Sequence, residues 1–208
     1  MPFSNQTLAQ FLDELASSSP APGGGAAAAL SGALAAALTA MVCQLTIGRK
    51  SYADVSAELA AILPRAQDRR RELVALMEAD SAAYAEVIAT YKLPKETEVE
   101  KAARAEATQR ALKQAAEVPF QIVGACADLL DLLATVAAKG NKNAASDAGS
   151  AALLAEAGLR AALLNVRINL GLIQDEAYVR GMEQRLEPLT RGRAEQKEAL
   201  VNLVISRM

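Results

Sequence analysis

The chain has 208 residues, 22 of them basic and 24 acidic, for a formal net charge of −2. That length suits one domain with its own core or one helical protomer of an oligomer, and the charge balance lacks the basic excess of a nucleic-acid binder. Hydrophobic residues make up 52% but aromatics only 3%, and His is absent; a chain so rich in Ala and so poor in aromatic or β-branched runs is expected to be all-α, with no sheet.

Met1 to Ser19 is amphipathic and carries Asp13 and Glu14, unlike a secretory signal. Thr7 and Gln10 fit a capping box, and Leu8, Phe11, Leu12 and Leu15 follow at helical spacing. Ser17 to Pro22 breaks this helix, and Gly23, Gly24 and Gly25 lead into an Ala-rich helix that runs to about Ile47. Between Gly23 and Gly48 there is no charged residue. The stretch is long enough to span a bilayer, but Ala and Gly contribute little to insertion, so a buried helix is expected and no membrane partner. Gly24, Ala28, Gly32, Ala36 and Ala40 recur every four residues, a line of small side chains that lets another helix approach closely.

A third helical region starts near Ser51 and runs to about Tyr91, with a kink or break expected at Pro64. Leu93 and Pro94 end it. Thr97 and Glu100 form another capping box for a helix reaching Glu117, and Pro119 suits the first turn of the next. That helix carries Ile122, Cys126, Leu129, Leu130, Leu133 and Val136 on one face and stops at Gly140. The polar segment 139–147 reads as a loop, with Ser146 or Asp147 capping a helix that continues to about Ile173. Asp175 starts another, Pro188 interrupts it, and an amphipathic helix closes the chain. The expectation is an antiparallel bundle of about seven or eight helices forming a single domain over residues 1–208.

Polar residues set in apolar patterns carry the functional signal. Asp80 lies in the stripe Leu73, Leu76, Met77, Tyr84, Val87, Ile88 and Tyr91. A carboxylate there is costly unless it is paired or used, and burial would raise its pKa toward the range useful for acid-base work. The stripe alone leaves open a structural carboxylate that caps or pairs. Asn165 and Asn169 share one helix face among Leu164, Val166, Ile168 and Leu170, which suits either a register-fixing network or a ligand cleft. The free N–H groups at Gly23, Gly24 and Gly25 can hold an anion or merely make a tight turn. The segment around Asn141, Lys142, Asn143 and Asp147 is either a solvated connection or part of a site. Cys43 and Cys126 read as reduced, buried thiols of a cytoplasmic protein, and a metal site without His is a poor fit.

The same segments resemble a known family. Pro20 to Gly25 followed by the Ala-rich run, Gly48 to Tyr52, Asp80 with Tyr84, Lys92 to Lys95, Glu117 to Pro119, Gly140 with Asn141, Ser146 with Asp147, Asn165, Asn169 and Asp175 are together similar to the cyclodeaminase domain of formiminotransferase-cyclodeaminases and to bacterial methenyltetrahydrofolate cyclohydrolases. The resemblance spans Phe11 to about Tyr178 and implies an all-helical protomer that forms a homodimer, with a tetrahydrofolate derivative as substrate in a cleft and no prosthetic group. It implies either hydration of 5,10-methenyltetrahydrofolate to 10-formyltetrahydrofolate or loss of ammonia from 5-formiminotetrahydrofolate. On this footing Asp80 is the expected acid-base group and Asp147 a second carboxylate or pterin anchor. Asn143, Asn165 and Asn169 would orient the pterin, and Lys50, Lys142 and the Gly23, Gly24 and Gly25 amides would hold the glutamate carboxylates. The alternatives are a helical folate-binding or oligomerisation module without activity, and a membrane-associated helical protein.

Overall fold

The computed structural model describes residues 2–208, all helical among the described residues. The elements are α1 (Leu8–Leu15), α2 (Gly24–Thr46), α3 (Ser56–Thr90), α4 (Glu98–Lys139), α5 (Ala145–Leu170), α6 (Glu176–Thr190) and α7 (Arg193–Arg207), with short 3-10 turns at Phe3–Asn5, Lys50–Tyr52 and Lys142–Ala144. Two starts follow the predicted capping boxes: Thr7 with Gln10 caps α1, and Thr97 with Glu100 caps α4. Asp175 caps α6 by accepting the Tyr178 N–H at 3.0 Å.

No helix breaks at a proline. Pro64 lies inside α3, where Leu59, Ile62 and Ala66 are buried on either side of it. Pro119 is itself buried in the middle of α4, so two expected helices are one helix of 42 residues. Packing along both flanks of α3 and α4 outweighs the lost hydrogen bond at each proline. Pro188 also lies within α6, which ends two residues later. Neither Ser146 nor Asp147 caps α5: the N-cap is Ala144, because the 3-10 turn leads straight into the helix. Asp147 lies instead in the first turn, where the helix dipole favours a carboxylate.

Contacts along the helices give the topology. Gly24 faces Asn165 near the end of α5, while the Asn141 N–H, just before α5, bonds Thr46 Oγ1 at the end of α2 at 2.9 Å; α2 and α5 are antiparallel. Gly25 meets Asp80 late in α3, and Gly32 meets Leu73 earlier in it, so α2 and α3 are antiparallel as well. Helix α4 runs with α2, since Cys126 sits against Gly32 and Gly140 against Val42. The Ala-rich α2 is thereby packed against α3, α4 and α5, with one face left open. Its small residues are what allow this: a Cβ on Gly32 would lie 2.8 Å from Cys126 Sγ, and one on Gly158 would lie 2.9 Å from the Ala28 carbonyl oxygen. Gly158→Val should therefore lower stability by about 2 kcal/mol, because the obstruction is backbone rather than a movable side chain. A thermal melt indistinguishable from the parent's would contradict this close crossing.

One hydrophobic core runs from Phe11 to Val204. Both cysteines are free and buried in it, and burial pushes Cys43 up to about 11 and Cys126 up to about 12, which leaves them unreactive thiols. Helices α2 and α4 are long and apolar enough to cross a membrane, but 61% of the most apolar window of each is buried inside the bundle. The Arg207 guanidinium donates to the carbonyls of Ala137 and Gly140, closing the C-terminal end of α4.

Candidate active site

Helix α2 separates two ends of the bundle by about 34 Å, the length of its 23 residues. The expected site residues divide between these ends. Gly23, Gly24, Gly25, Asp80, Asn165 and Asn169 gather at the N-terminus of α2, whereas Lys50, Lys142, Asn143 and Asp147 lie at its C-terminus. Within one protomer Asp147 is therefore no second carboxylate to Asp80, and Lys50 and Lys142 do not reach the glycine turn. The second end has its own structural logic. Asn141 is 3% exposed, donates through Nδ2 to the Leu45 carbonyl at 2.9 Å, and accepts the Asn143 N–H at 3.0 Å. The Tyr52 hydroxyl accepts the Lys142 N–H at 3.0 Å. These bonds fix the turn from α4 into α5 and leave the Lys50, Lys142 and Asn143 side chains exposed.

The first end holds a cleft of about 420 Å³, a size suited to a small organic molecule. Pro20, Ala21, Gly23 and Gly24 form its floor; Tyr84, Val87, Ile88 and Tyr91 of α3 form one wall, and Leu112, Ile168 and Leu172 the other. Tyr84 and Tyr91 are 41% and 46% exposed, so their ring faces remain available. Asp80 is the one acidic or basic side chain in the lining. Its carboxylate lies directly over Gly25: a Cβ built there would fall 2.0 Å from Oδ1 and 2.3 Å from Cγ. Only glycine lets the carboxylate sit down onto the start of α2. Burial raises the Asp80 pKa above the ordinary aspartate value, and a backbone hydrogen bond from Ala26 partly offsets this. An acid held this way is poised between its two protonation states nearer neutrality than a surface aspartate.

Asn165 and Asn169 complete the polar set. Asn165 Nδ2 donates to the Ala161 carbonyl at 2.9 Å, and its amide faces Gly24. Asn169 Nδ2 donates to the carbonyls of Asn165 at 2.9 Å and Ala115 at 3.0 Å. Both N–H groups of Asn169 are thus engaged and its carbonyl oxygen is left as an acceptor, whereas Asn165 keeps one N–H as well as its carbonyl oxygen. Ser81 Oγ is buried at the cleft wall and has no hydrogen-bond partner among the described residues. An orphaned hydroxyl beside the carboxylate is a place for a ligand's polar atom. Sequence pattern did not single it out, because a serine beside a helical Asp is unremarkable until its hydroxyl is seen unpaired. No three His, Cys, Asp or Glu side chains come together as a metal-binding group among the described residues.

The bundle and cleft define the class: an all-helical protein with a single carboxylate set over a helix start in an otherwise apolar, amide-lined small-molecule site. The chain belongs to the formiminotransferase-cyclodeaminase family, whose model matches residues 7–188. It is 49% identical over 185 residues to the methenyltetrahydrofolate cyclohydrolase of Methylorubrum extorquens, covering 89% of this chain and 88% of that one. It is 35% identical to the formimidoyltransferase-cyclodeaminase of Sus scrofa, of whose length it spans 34%. The crystal structure of a formiminotetrahydrofolate cyclodeaminase from Thermotoga maritima superposes with a TM-score of 0.83 at 34% identity, covering 98% of this chain and 96% of that one.

Proposed function

We propose that the protein is a methenyltetrahydrofolate cyclohydrolase, adding water to 5,10-methenyltetrahydrofolate to give 10-formyltetrahydrofolate. The observation that carries this reading is the lone carboxylate of Asp80, perched on Gly25 in a cleft with no other charged lining. The methenyl bridge is a cationic amidinium, and a negatively charged group in an apolar cleft stabilises it. Asp80 then acts on protons. It takes one from the water that attacks the bridging carbon, giving a tetrahedral carbinolamine. As the bond from that carbon to N5 breaks, Asp80 returns the proton to N5, and the carbinolamine hydroxyl releases its own to solvent as the formyl group forms. Tyr84 and Tyr91 offer faces for the ring systems, while Asn165, Asn169 and Ser81 meet the pterin's polar edge. No prosthetic group has a place in these steps.

The extent and level of identity to the Methylorubrum enzyme favour hydration over deamination. The cyclodeaminase reading draws support from the Thermotoga structure and uses the same carboxylate at the same carbon. Comparing kcat/KM for the methenyl and formimino substrates separates them. The methenyl compound should be preferred by at least about tenfold; a preference for the formimino compound would make the protein a cyclodeaminase instead. The pH dependence has a definite sign. Because Asp80 must be ionised to accept a proton and its pKa is raised, kcat/KM should fall on the acid side at a pH above that of an ordinary aspartate.

The chain also exposes an apolar face on the adjoining helices α2 and α5, with Leu34, Met41 and Leu45 on one and Leu153, Leu164 and Ile168 on the other. An uncharged α2 surface of this kind supports a homodimer formed across that face. Leu34→Asp combined with Leu164→Asp should shift the mass seen by light scattering from dimer to monomer. A parent protein that is already monomeric at micromolar concentration would rule this interface out.

A further inference from the structure

Ser81 stands where two cavities meet. Beside the catalytic cleft lies a second hollow of about 330 Å³, and Pro20, Ala21, Ser81, Tyr84 and Ile88 line both. The rest of the hollow's wall is Ser19, Ala85, Ala89 and Lys92, all exposed, so it opens to solvent. Ser81 follows Asp80 directly on α3, and consecutive helical side chains point about 100° apart. The carboxylate sits on Gly25, while the serine lies at the boundary between cleft and hollow. Its hydroxyl is covered and has no hydrogen-bond partner among the described residues. A hydroxyl left in this way turns about one bond, between staggered positions, without breaking any hydrogen bond, and it gains stability by finding a partner. It carries one donor and two acceptor positions, so contact with the pterin edge leaves capacity for a second partner.

Hydration needs a water held at the bridging carbon, and a fixed water takes two to four polar partners. Asp80 supplies one of them, the acceptor of its proton. We propose that Ser81 supplies the second, holding the attacking water beside Asp80 as a positioning residue for hydration. This rests on the cyclohydrolase reading of the cleft. One O–H of the water donates to the Asp80 carboxylate and the other to Ser81 Oγ, which leaves a lone pair of the water free to face the bridging carbon. The bond from the water oxygen to that carbon forms as the first proton passes to Asp80, and Ser81 keeps its own proton throughout. The serine O–H stays available to the pterin edge. With two anchors the water is held in one orientation when the substrate fills the cleft, and the solvent-open hollow on the other side of Ser81 can replenish it.

The test compares the intact protein with Ser81→Ala and Ser81→Thr, using 5,10-methenyltetrahydrofolate for turnover and tetrahydrofolate, which has no bridge to attack, for binding by calorimetry. In Ser81→Ala, kcat should fall by about tenfold, the worth of one hydrogen bond in the transition state. Its affinity for tetrahydrofolate should fall by no more than about threefold. Its melting temperature should equal or exceed the parent's, since an unpaired hydroxyl is removed from a helix and alanine is the better helix former. Ser81→Thr restores the hydroxyl and should recover most of the lost kcat. An unchanged kcat in the alanine variant, with kcat/KM falling only as far as affinity does, would reduce Ser81 to an edge contact and overturn the proposal. A threonine variant no faster than the alanine one would overturn it too. Either result leaves the cyclohydrolase reading standing, whereas a parent that does not turn over the methenyl compound would overturn that reading and this inference together.

Discussion

Asp80→Asn should lower kcat for methenyl hydrolysis by about a hundredfold to ten-thousandfold, the range that a positioned proton-transfer group supplies. The amide keeps the carboxylate's size but can neither accept the water proton nor balance the amidinium charge. Folding should not suffer. Burial raises the Asp80 pKa, so the group ionises at higher pH in the folded chain than in the unfolded one. Its ionisation therefore draws stability away as pH rises through the interval between the unfolded and the raised folded value, and the deficit persists above it. The Asn variant removes that penalty, so its melting temperature at neutral pH should equal or exceed the parent's. Loss of activity with stability kept or gained separates a catalytic carboxylate from a structural one. A variant that retains near-parental turnover, or that melts several degrees lower, would contradict the assignment.

Gly25→Ala should be nearly as damaging to activity by a different route. The new Cβ would fall 2.0 Å from Asp80 Oδ1, where no atom can stay, so the carboxylate must swing off the start of α2. Displacing a catalytic group by about an ångström costs on the order of a hundredfold in rate. Alanine is otherwise the better helix former, by about 1 kcal/mol, and the obstructing atoms are a movable side-chain end rather than backbone. Circular dichroism and melting should therefore report an intact bundle while kcat collapses. The contrast with Gly158→Val is informative: there a Cβ meets the Ala28 carbonyl, and stability rather than catalysis bears the cost.

Much of this was legible in the sequence where the signal is local. The capping boxes at Thr7 and Thr97, the Asp175 cap and the stop at Gly140 are decided within a few residues, and the structure places each where its side-chain or backbone bonding requires. The line of small residues in α2 announced close packing, and of its five members Ala28, Gly32, Ala36 and Ala40 are buried while Gly24 is exposed at the cleft. Pro119 misled because the propensity rule is local while α4 is held by neighbours along its length. The candidate residues were chosen one at a time, from polarity in an apolar setting or from a helix start or loop. Their grouping required the topology. Nothing in the spacing says that residues 80 and 165 meet at one end of α2 while residues 50, 142, 143 and 147 lie at the other; that follows only from α3 and α5 both running antiparallel to α2. For the same reason spacing does not show which basic residues come to line hollows beside the cleft: Lys92 in one, and Lys95, Lys101 and Arg104 in another.

The most direct measurement is the rate at which the purified protein removes 5,10-methenyltetrahydrofolate, followed by loss of its absorbance against an enzyme-free control with the product identified by chromatography. A methenyltetrahydrofolate cyclohydrolase will strongly accelerate this loss and yield 10-formyltetrahydrofolate. Unaccelerated decay in the presence of folded protein would contradict that assignment.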